Sequence, residues 1–257
     1  MSVLESLAVV LGGATLLNLL AGVAVLDVAA VRRIPARARE ALPYLGFLVG
    51  VLLVNKVARE FGPEVSWMVG LNVTGYIYAI EGGFVAVVQS VATPPLTAYF
   101  SAVYLFGYVS LLTFPFVVYA TRTDALDLER TAVAFGLNYA LGLVCYVLFI
   151  SYGPRNLIPD LVDPLLYATY PQAQLVTSQV NANTNVFPSL HTSLSVTVAV
   201  QAWRTRDRFP RWTAIAVPLA ASVTVSTMYL GIHWGTDVVA GTVLGVGSVL
   251  AADRVVG

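Results

Sequence analysis

The sequence predicts an all-α protein, a polytopic bundle of helices embedded in a membrane. Hydrophobic residues make up 58% of the 257 positions, charged residues make up only 11%, and the mean hydropathy is +0.78. A soluble domain carries about 25% charged residues and could not cover its surface with so few. Several stretches also run for about 20 residues almost without charge, the length that crosses a hydrocarbon core of about 30 Å.

The apolar runs, in chain order, fall at residues 4–30, 42–58, 66–90, 96–120, 130–151, 188–203, 212–230 and 234–252. We expect the first run to be retained instead of cleaved as a secretory signal, because its positive charges Arg32 and Arg33 follow the apolar stretch. The third run differs from the others, since it contains Asn72, Glu81, Gln89 and four glycines. We therefore expect it to lie in the interface or to enter the membrane and return.

The arginine distribution predicts the topology. Eleven of the fourteen basic residues fall into four groups between or after runs: Arg32, Arg33, Arg37 and Arg39; Arg122 and Arg130; Arg204, Arg206, Arg208 and Arg211; and Arg254. The positive-inside rule places such groups in the cytoplasm. All four groups can be cytoplasmic only if 66–90 does not cross, which predicts seven spans with the N-terminus outside and the C-terminus inside. Lys56, Arg59, Arg155 and both histidines are then outside.

Two domains are expected, residues 1–40 as an N-terminal transmembrane helix with a basic cytoplasmic loop, and residues 41–257 as a second membrane-embedded domain. The connection 152–187 is rich in proline, asparagine and glutamine. Long loops of this kind are usually functional lids or linkers, and both readings stay open here. The single cysteine, Cys145, lies in an apolar run and is expected to be a small buried hydrophobe. Gly241 and Gly245 have the spacing that favours close helix packing.

A first polar cluster opens the run 188–203. Proline is favoured at the first position of a helix, so a helix is expected to begin near Pro188, with Ser189 and His191 in its first turn. The free N–H groups and the positive end of the helix dipole at such a terminus attract anions. A phosphate bound here would meet amide donors, a hydroxyl and an imidazole.

A second cluster opens the last run. His233 and Asp237 are four positions apart, which puts them on one face of a helix. A carboxylate that holds one imidazole nitrogen leaves the lone pair of the other nitrogen free to attack, and it stabilises the positive charge that then develops. An aspartate inside a span is costly without such a role. The pattern therefore indicates a nucleophilic histidine.

Other interpretations of the same residues stay open at this point. A single interfacial histidine is usually just a hydrated polar residue, but here the only two histidines both open helices on one face. Arg155 could instead anchor a lipid headgroup. The cations of Lys56 and Arg59 could pair with Glu60 or Glu64. For Glu81, a capping or interfacial role is favoured.

At these residues the chain resembles the type 2 phosphatidic acid phosphatase superfamily, in particular the branch of inositol phosphorylceramide synthase and its prokaryotic relatives. Pro188-Ser189-Leu190-His191 looks like that branch's version of the superfamily's second motif, Pro-Ser-Gly-His. The third motif is Ser-Arg, five residues, His, three residues and Asp. The stretch from Ser226-Thr227 through His233 to Asp237 is similar in every spacing.

The superfamily's first motif, Lys, six residues and Arg-Pro, is not intact in this chain. Gly153-Pro154-Arg155 resembles the branch's substitute for its arginine, and the stretch from Asn55 to Arg59 resembles a basic pair at the end of an early helix. The resemblance covers roughly 42–252. Because Thr227 stands where the wider superfamily has arginine, the cation that neutralises the phosphate is expected to be Arg155 or Arg59.

The resemblance implies a six-helix phosphatase-like catalytic core in residues 41–257, one extra N-terminal span, and neither a metal nor another cofactor. It implies that His233, oriented by Asp237, attacks phosphorus and that His191 protonates the leaving alcohol. The residues implied to hold the phosphoryl oxygens are Arg155, Ser189, Arg59 and Lys56. The expected partners are a membrane lipid phosphate and the bilayer, not nucleic acid; the oligomeric state is not predicted.

Three functions follow as alternatives. The first is a metal-independent phosphatase acting on a lipid phosphate or pyrophosphate, with its site on the outer face of the cell membrane. The second is a phosphotransferase that moves a phosphorylated headgroup, such as inositol phosphate, between lipids. The third is a transporter whose histidines line a polar pathway, although transporter sites usually lie near the midplane on broken helices. Metal-independent phosphate release from a lipid phosphate would distinguish an enzyme from a transporter.

Overall fold

The computed structural model describes residues 2–177 and 183–257. The helices in this part of the chain are α1 (Val3–Val25), α2 (Val28–Val31), α3 (Ile34–Glu40), α4 (Leu42–Val69), α5 (Thr74–Glu81), α6 (Phe84–Gln89), α7 (Pro94–Ala102), α8 (Tyr108–Tyr119), α9 (Leu126–Leu148), α10 (Pro154–Leu157), α11 (Leu165–Thr169), α12 (Ala173–Thr177), α13 (Leu190–Arg204), α14 (Pro210–Tyr229) and α15 (Gly235–Val256). A π-helical turn, Val103–Gly107, joins α7 to α8. Two short strands, β1 (Leu71–Asn72) and β2 (Phe149–Ile150), pair in parallel.

The prediction of an all-α polytopic membrane bundle is confirmed. Six helices in the described residues are long and apolar enough to cross a membrane: Val3–Val25, Leu42–Val69, Pro94–Tyr119, Leu126–Leu148, Pro210–Tyr229 and Gly235–Val256. The remaining expected span, 188–203, corresponds to α13, which has only 15 residues. It packs against α9, α14 and α15, and Leu194, Val198 and Ala202 are buried on it. The helix that begins at the second motif is therefore an interior element of the bundle.

The run 66–90 is divided between several short elements. Helix α4 continues past the expected end at residue 58 to Val69, where Gly70 and β1 break it. Two short helices follow, α5 with eight residues and α6 with six. They are separated at Gly82, whose φ of 56° is in the left-handed region that glycine adopts easily. At 1.5 Å per residue neither helix exceeds about 12 Å, too short to cross the membrane, which agrees with the predicted non-spanning segment.

Two glycines bring α15 against the helix that carries His191. A Cβ atom on Gly241 would lie 2.4 Å from the carbonyl oxygen of Ser189, and one on Gly245 would lie 2.4 Å from that of Ser193. No larger residue fits without moving the backbone. The close packing predicted from the spacing of these glycines is thereby confirmed, and it places the start of α13 beside the start of α15.

Polar contacts fix the orientation of α13 and of α1 in the apolar bundle. In the interior, the Asn138 side chain donates to the Thr197 hydroxyl at 2.9 Å and accepts from the Ser193 hydroxyl. At the periphery, the Asn18 amide donates to the Thr113 hydroxyl at 2.8 Å and so ties α1 to α8. Hydrogen bonds between transmembrane helices typically contribute about 0.6 kcal/mol each, so their main effect here is to select one register.

Candidate active site

The two histidines meet at one end of the bundle although they are far apart in sequence. Their ring centroids are 6.1 Å apart and the ring planes are inclined by 57°. His191 lies in the first turn of α13, and His233 lies in the turn between α14 and α15. His233 is buried, with 3% of its surface exposed. The predicted proximity of the two side chains is confirmed.

A tight turn after α14 determines the position of His233. The backbone N–H groups of Ile232 and His233 both donate to the carbonyl oxygen of Thr227 at 3.0 Å. Gly231 allows this turn, since its φ is +71° and a Cβ atom there would lie 2.8 Å from the carbonyl oxygen of Asp163. Thr227, which replaces the motif arginine, therefore has a structural role and is fully buried.

Asp237 is fully buried next to His233, but its contacts differ from the expectation. One carboxylate oxygen, Oδ2, accepts a hydrogen bond from the backbone N–H of Trp234 at 2.8 Å and lies 3.5 Å from Nδ1 of His233. No hydrogen bond joins the two side chains in the described residues. The assumption that both residues lie on one helix was wrong. His233 precedes α15, and Asp237 instead caps the first turn of that helix, as acidic side chains often do.

The electrostatic surroundings favour the neutral form of His233. Burial lowers the pKa of its imidazole to about 3, the nearby Arg155 cation acts in the same direction, and a hydrogen bond with the Val186 backbone opposes both. A ring with this pKa keeps its lone pair at physiological pH, as a nucleophile must.

Arg155 provides the cation on the His233 side of the pair. Its backbone N–H donates to the carbonyl oxygen of Gly231 at 3.2 Å, which connects α10 to the turn that carries the histidine. Its guanidinium lies 4.7 Å from the centroid of the Tyr167 ring. One guanidinium nitrogen, Nη1, is buried without a hydrogen-bond partner in the described residues. A buried donor of this kind is costly unless a ligand accepts from it.

His233 and Arg155 border a cavity of about 550 Å³, here called the polar chamber. Its described lining residues are Gly153, Arg155, Asn156, Pro164, Tyr167, Gln174, Thr177, Asn183, Asn185, Val186, Ile232 and His233. The connection 152–187 supplies most of this wall. The described part of the connection therefore forms one wall of the cavity.

Ser189 does not reach either cavity that adjoins the histidines. Its hydroxyl accepts from the backbone N–H of Thr192 at 3.3 Å, so it is the N-cap of α13, and the residue is fully buried. The sequence correctly predicted a helix start here. It did not indicate that the hydroxyl oxygen would also cap the helix terminus.

Lys56 and Arg59 lie on the other side of the histidine pair. They border a second cavity of about 420 Å³, here called the tyrosine chamber, in which the histidine is His191. The described residues around it are Leu7, Val10, Leu11, Leu52, Asn55, Lys56, Arg59, Tyr104, Leu105, Tyr108, Val109, Tyr139, Tyr146, Thr177, Leu190 and His191. Neither cation forms an ion pair with Glu60 or Glu64, the alternative considered above.

Two tyrosines that the sequence reasoning missed hold the ring of His191. The ring stacks on Tyr104 with centroids 4.5 Å apart and contacts Tyr108 at 4.3 Å. Both tyrosines lie four residues apart around the π-helical turn. The only available signal was their spacing in the run 96–120, and this spacing alone does not distinguish a site from packing.

Glu81, the last residue of α5, connects the run 66–90 to the candidate active site. Its carboxylate accepts from the backbone N–H groups of Gly235 and Thr236 at 2.7 and 2.9 Å, and from the Thr236 hydroxyl at 3.1 Å. The expected capping role is confirmed, on a helix distant in sequence. Carboxylates from Glu81 and Asp237 thus occupy the first turn of α15, so that helix terminus has few N–H groups left for a phosphate.

The bundle thus brings two histidines together near Arg155, one of whose guanidinium nitrogens has no hydrogen-bond partner in the described residues. Comparison with protein families agrees with this description. Residues 79–251 match the model of the PAP2 superfamily, and the chain belongs to that superfamily. Its members are generally phosphoesterases or phosphotransferases, and the protein is an enzyme of this general kind. No curated protein and no solved structure matches the chain.

Proposed function

We propose that the protein is a metal-independent phosphatase of a membrane lipid phosphate or pyrophosphate, working through a phosphohistidine on His233. The observation that carries this proposal is the placement of the buried, neutral His233 beside the unpaired guanidinium nitrogen of Arg155, with His191 across the gap at 6.1 Å. The arrangement supplies a nucleophile, a cation for the phosphoryl oxygens and a proton donor. These are the groups that the reaction needs.

In the proposed first step, the lone pair of a ring nitrogen of His233 attacks phosphorus. The bond to the leaving oxygen breaks, and the ring of His191, which must carry a second proton before this step, gives that proton to the oxygen. Nδ1 of His233 lies 3.5 Å from Oδ2 of Asp237. The Asp237 carboxylate stabilises the positive charge that develops on the ring. In the second step, water attacks the phosphohistidine and His191 takes the proton of that water.

Arg155 takes the place of the motif arginine that is missing at Thr227. It is the cation beside His233, and its buried Nη1 is free to donate to a phosphoryl oxygen. An added hydrogen bond to a charged group typically contributes about 1.5–3 kcal/mol. The arginine distribution supports a site on the outer face of the cell membrane, with the basic loops inside.

The test is release of inorganic phosphate from a lipid phosphate by the detergent-solubilised protein in the presence of a chelator. With ³²P-labelled substrate, acid quenching should destroy and alkaline quenching should preserve a labelled protein band. His233→Ala should remove both the activity and the band, while Arg206→Gln, a surface change in a distant loop, should keep both. Phosphate release that survives in His233→Ala would place the site elsewhere.

A second function, headgroup transfer between lipids, is favoured by the size and chemistry of the polar chamber. The cavity of about 550 Å³ is much larger than a phosphate, and Asn156, Gln174, Asn183 and Asn185 line it. Amide side chains can both donate to and accept from hydroxyl groups. A polyhydroxylated headgroup that stays on phosphorus would fit there, in line with the resemblance to the inositol phosphorylceramide synthase branch. Transfer of a labelled headgroup to a lipid alcohol would distinguish this reaction from hydrolysis.

A further inference from the structure

The tyrosine chamber has the composition of an anion site that a single phosphate cannot explain. Lys56 and Arg59 border it, and no aspartate or glutamate is among its described lining residues. The two cations form neither an ion pair nor a hydrogen bond within the described part of the chain. The hydroxyl groups of Tyr104, Tyr108 and Tyr139 likewise have no hydrogen-bond partner there. Cations and free hydroxyl donors without carboxylates favour a bound anion.

The tyrosine chamber adjoins His191, whereas the polar chamber adjoins His233. Arg155 and His233 border one cavity, whereas Lys56, Arg59 and His191 border the other, and the described lining residue common to both is Thr177. Arg155 is therefore the cation that neutralises the negative charge of the phosphoryl group attacked by His233. Lys56 and Arg59 instead face the leaving group.

The position of the leaving group follows from the role of His191. A proton donor must be within hydrogen-bond reach of the leaving oxygen, so the leaving group extends into the tyrosine chamber. The wall formed by Leu7, Val10, Leu11 and Leu52 is apolar and suits a lipid chain. The cations in the same chamber indicate that the leaving group also carries negative charge.

Resting on the function proposed above, we propose that Lys56 and Arg59 form a second anion site that binds the inner phosphate of a lipid diphosphate. His233 attacks the terminal phosphorus and forms an N–P bond. The bond from that phosphorus to the bridging oxygen breaks, and its electron pair stays on the oxygen. The lipid monophosphate leaves, and water cleaves the phosphohistidine to orthophosphate and free imidazole.

The experiment compares matched substrates, diacylglycerol pyrophosphate with phosphatidic acid and an isoprenyl diphosphate with its monophosphate, using the full chain in nanodiscs. The quantity measured is the ratio of kcat/KM for diphosphate over monophosphate within each pair. Because water screens the exposed side chains of Lys56 and Arg59, we expect their two charge-assisted hydrogen bonds to give a wild-type ratio of only about 10- to 100-fold. The double variant Lys56→Gln with Arg59→Gln should lower this ratio by at least about tenfold. Both residues are exposed on α4, so the fold should tolerate the change, and the melting temperature checks this.

Two control variants distinguish a loss of the preference for the diphosphate from a general loss of activity. Arg155→Gln should lower activity on both members of a pair by a similar factor, because its cation contacts the phosphoryl group that is attacked. Arg206→Gln removes an exposed charge remote from both chambers and should leave both rates unchanged.

A wild-type ratio near one, or a double variant that loses activity equally on both substrates, would overturn the second anion site and leave the phosphatase proposal standing. No phosphate release from any of the four lipids would instead contradict the proposed function itself.

Discussion

The contact between Glu81 and the start of α15 predicts that a side chain outside both histidine motifs controls the rate of the reaction. Glu81 receives three hydrogen bonds from Gly235 and Thr236, at 2.7, 2.9 and 3.1 Å. These two residues lie between His233 and Asp237 in the sequence, after Trp234. Replacement by alanine removes the acceptor for two backbone N–H groups and allows the first turn of α15 to fray.

The magnitude can be worked from the hydrogen bonds. Loss of an N-cap costs about 0.5–2 kcal/mol, and a hydrogen bond to a charged group contributes about 1.5–3 kcal/mol. Glu81 is partly exposed, so water replaces some of the lost contacts. We expect Glu81→Ala to lower the free energy of unfolding by about 2 kcal/mol. Glu81→Gln keeps one acceptor oxygen and should lose about half as much.

The kinetic effect should fall mainly on kcat. The frayed turn displaces His233 and Asp237, whereas Arg155 remains in place on α10, so substrate binding should change less than turnover. Displacement of a catalytic group by about 1 Å can cost about 100-fold in rate. The assay measures kcat and KM on a lipid phosphate, with thermal unfolding in nanodiscs as the stability readout. Glu64→Gln is the matched control, because Glu64 is exposed and forms no ion pair in the described residues.

The reasoning would be refuted if Glu81→Ala unfolded at the wild-type temperature and turned over substrate at the wild-type rate. It would also be refuted if KM rose while kcat stayed constant, because that result would assign Glu81 to substrate binding. Partial recovery of kcat in Glu81→Gln supports a positioning role, since only the acceptor is restored.

Further predictions concern the histidines and the topology. His233→Ala should lower activity on every substrate by about 10⁴-fold or more. His191→Ala should lower activity on lipid phosphates by about 10²- to 10⁴-fold. Its effect on p-nitrophenyl phosphate should be much smaller, because that leaving group needs little protonation. If His191→Ala abolishes the phosphoenzyme and His233→Ala preserves it, the roles are reversed. Because the pKa of His233 falls to about 3, its imidazole should stay neutral from pH 8 down to pH 5. The ¹⁵N chemical shifts of His233, measured in the His191→Ala background, should therefore remain those of a neutral ring. A titration with an inflection near the ordinary pKa of about 6.5 would contradict the argument that burial lowers this pKa. If 66–90 does not span, Glu64→Cys and Ala92→Cys in a Cys145→Ser background should both react with an impermeant maleimide from outside; labelling from opposite sides would overturn the topology.

Hydropathy and two short motifs were sufficient to predict the bundle and the meeting of the histidines. Apolar runs must become helices in a bilayer, since no other open structure satisfies the backbone there. His191 and His233 could be paired because each opens a helix on the same expected face. The capping role of Glu81 was also favoured, although its partner could not be named from sequence.

The details that sequence reasoning missed depend on contacts between distant segments. The sequence did not show that the hydroxyl of Ser189, for which phosphate binding stays a prediction, also accepts a hydrogen bond at the N-terminus of its own helix. Lys56 and Arg59 were grouped with Arg155 because all lie outside in the predicted topology. Hydropathy specifies a membrane face and not a position around the bundle, so the separation of these cations into two chambers could only be seen in three dimensions.

The shortness of α13 has a consequence for the bilayer around the protein. Its 15 residues rise about 22 Å, about 8 Å less than the hydrocarbon core that its neighbours cross. If the cytoplasmic end of α13 lies level with the ends of its neighbours, we expect the paired histidines at its other end to lie below the lipid headgroups. A phosphate must be drawn down and partly dehydrated to reach them, or the membrane must thin locally to meet it. Turnover should thus depend on the acyl-chain length of the host lipids, with thinner bilayers presenting the substrate at the depth where the chemistry occurs.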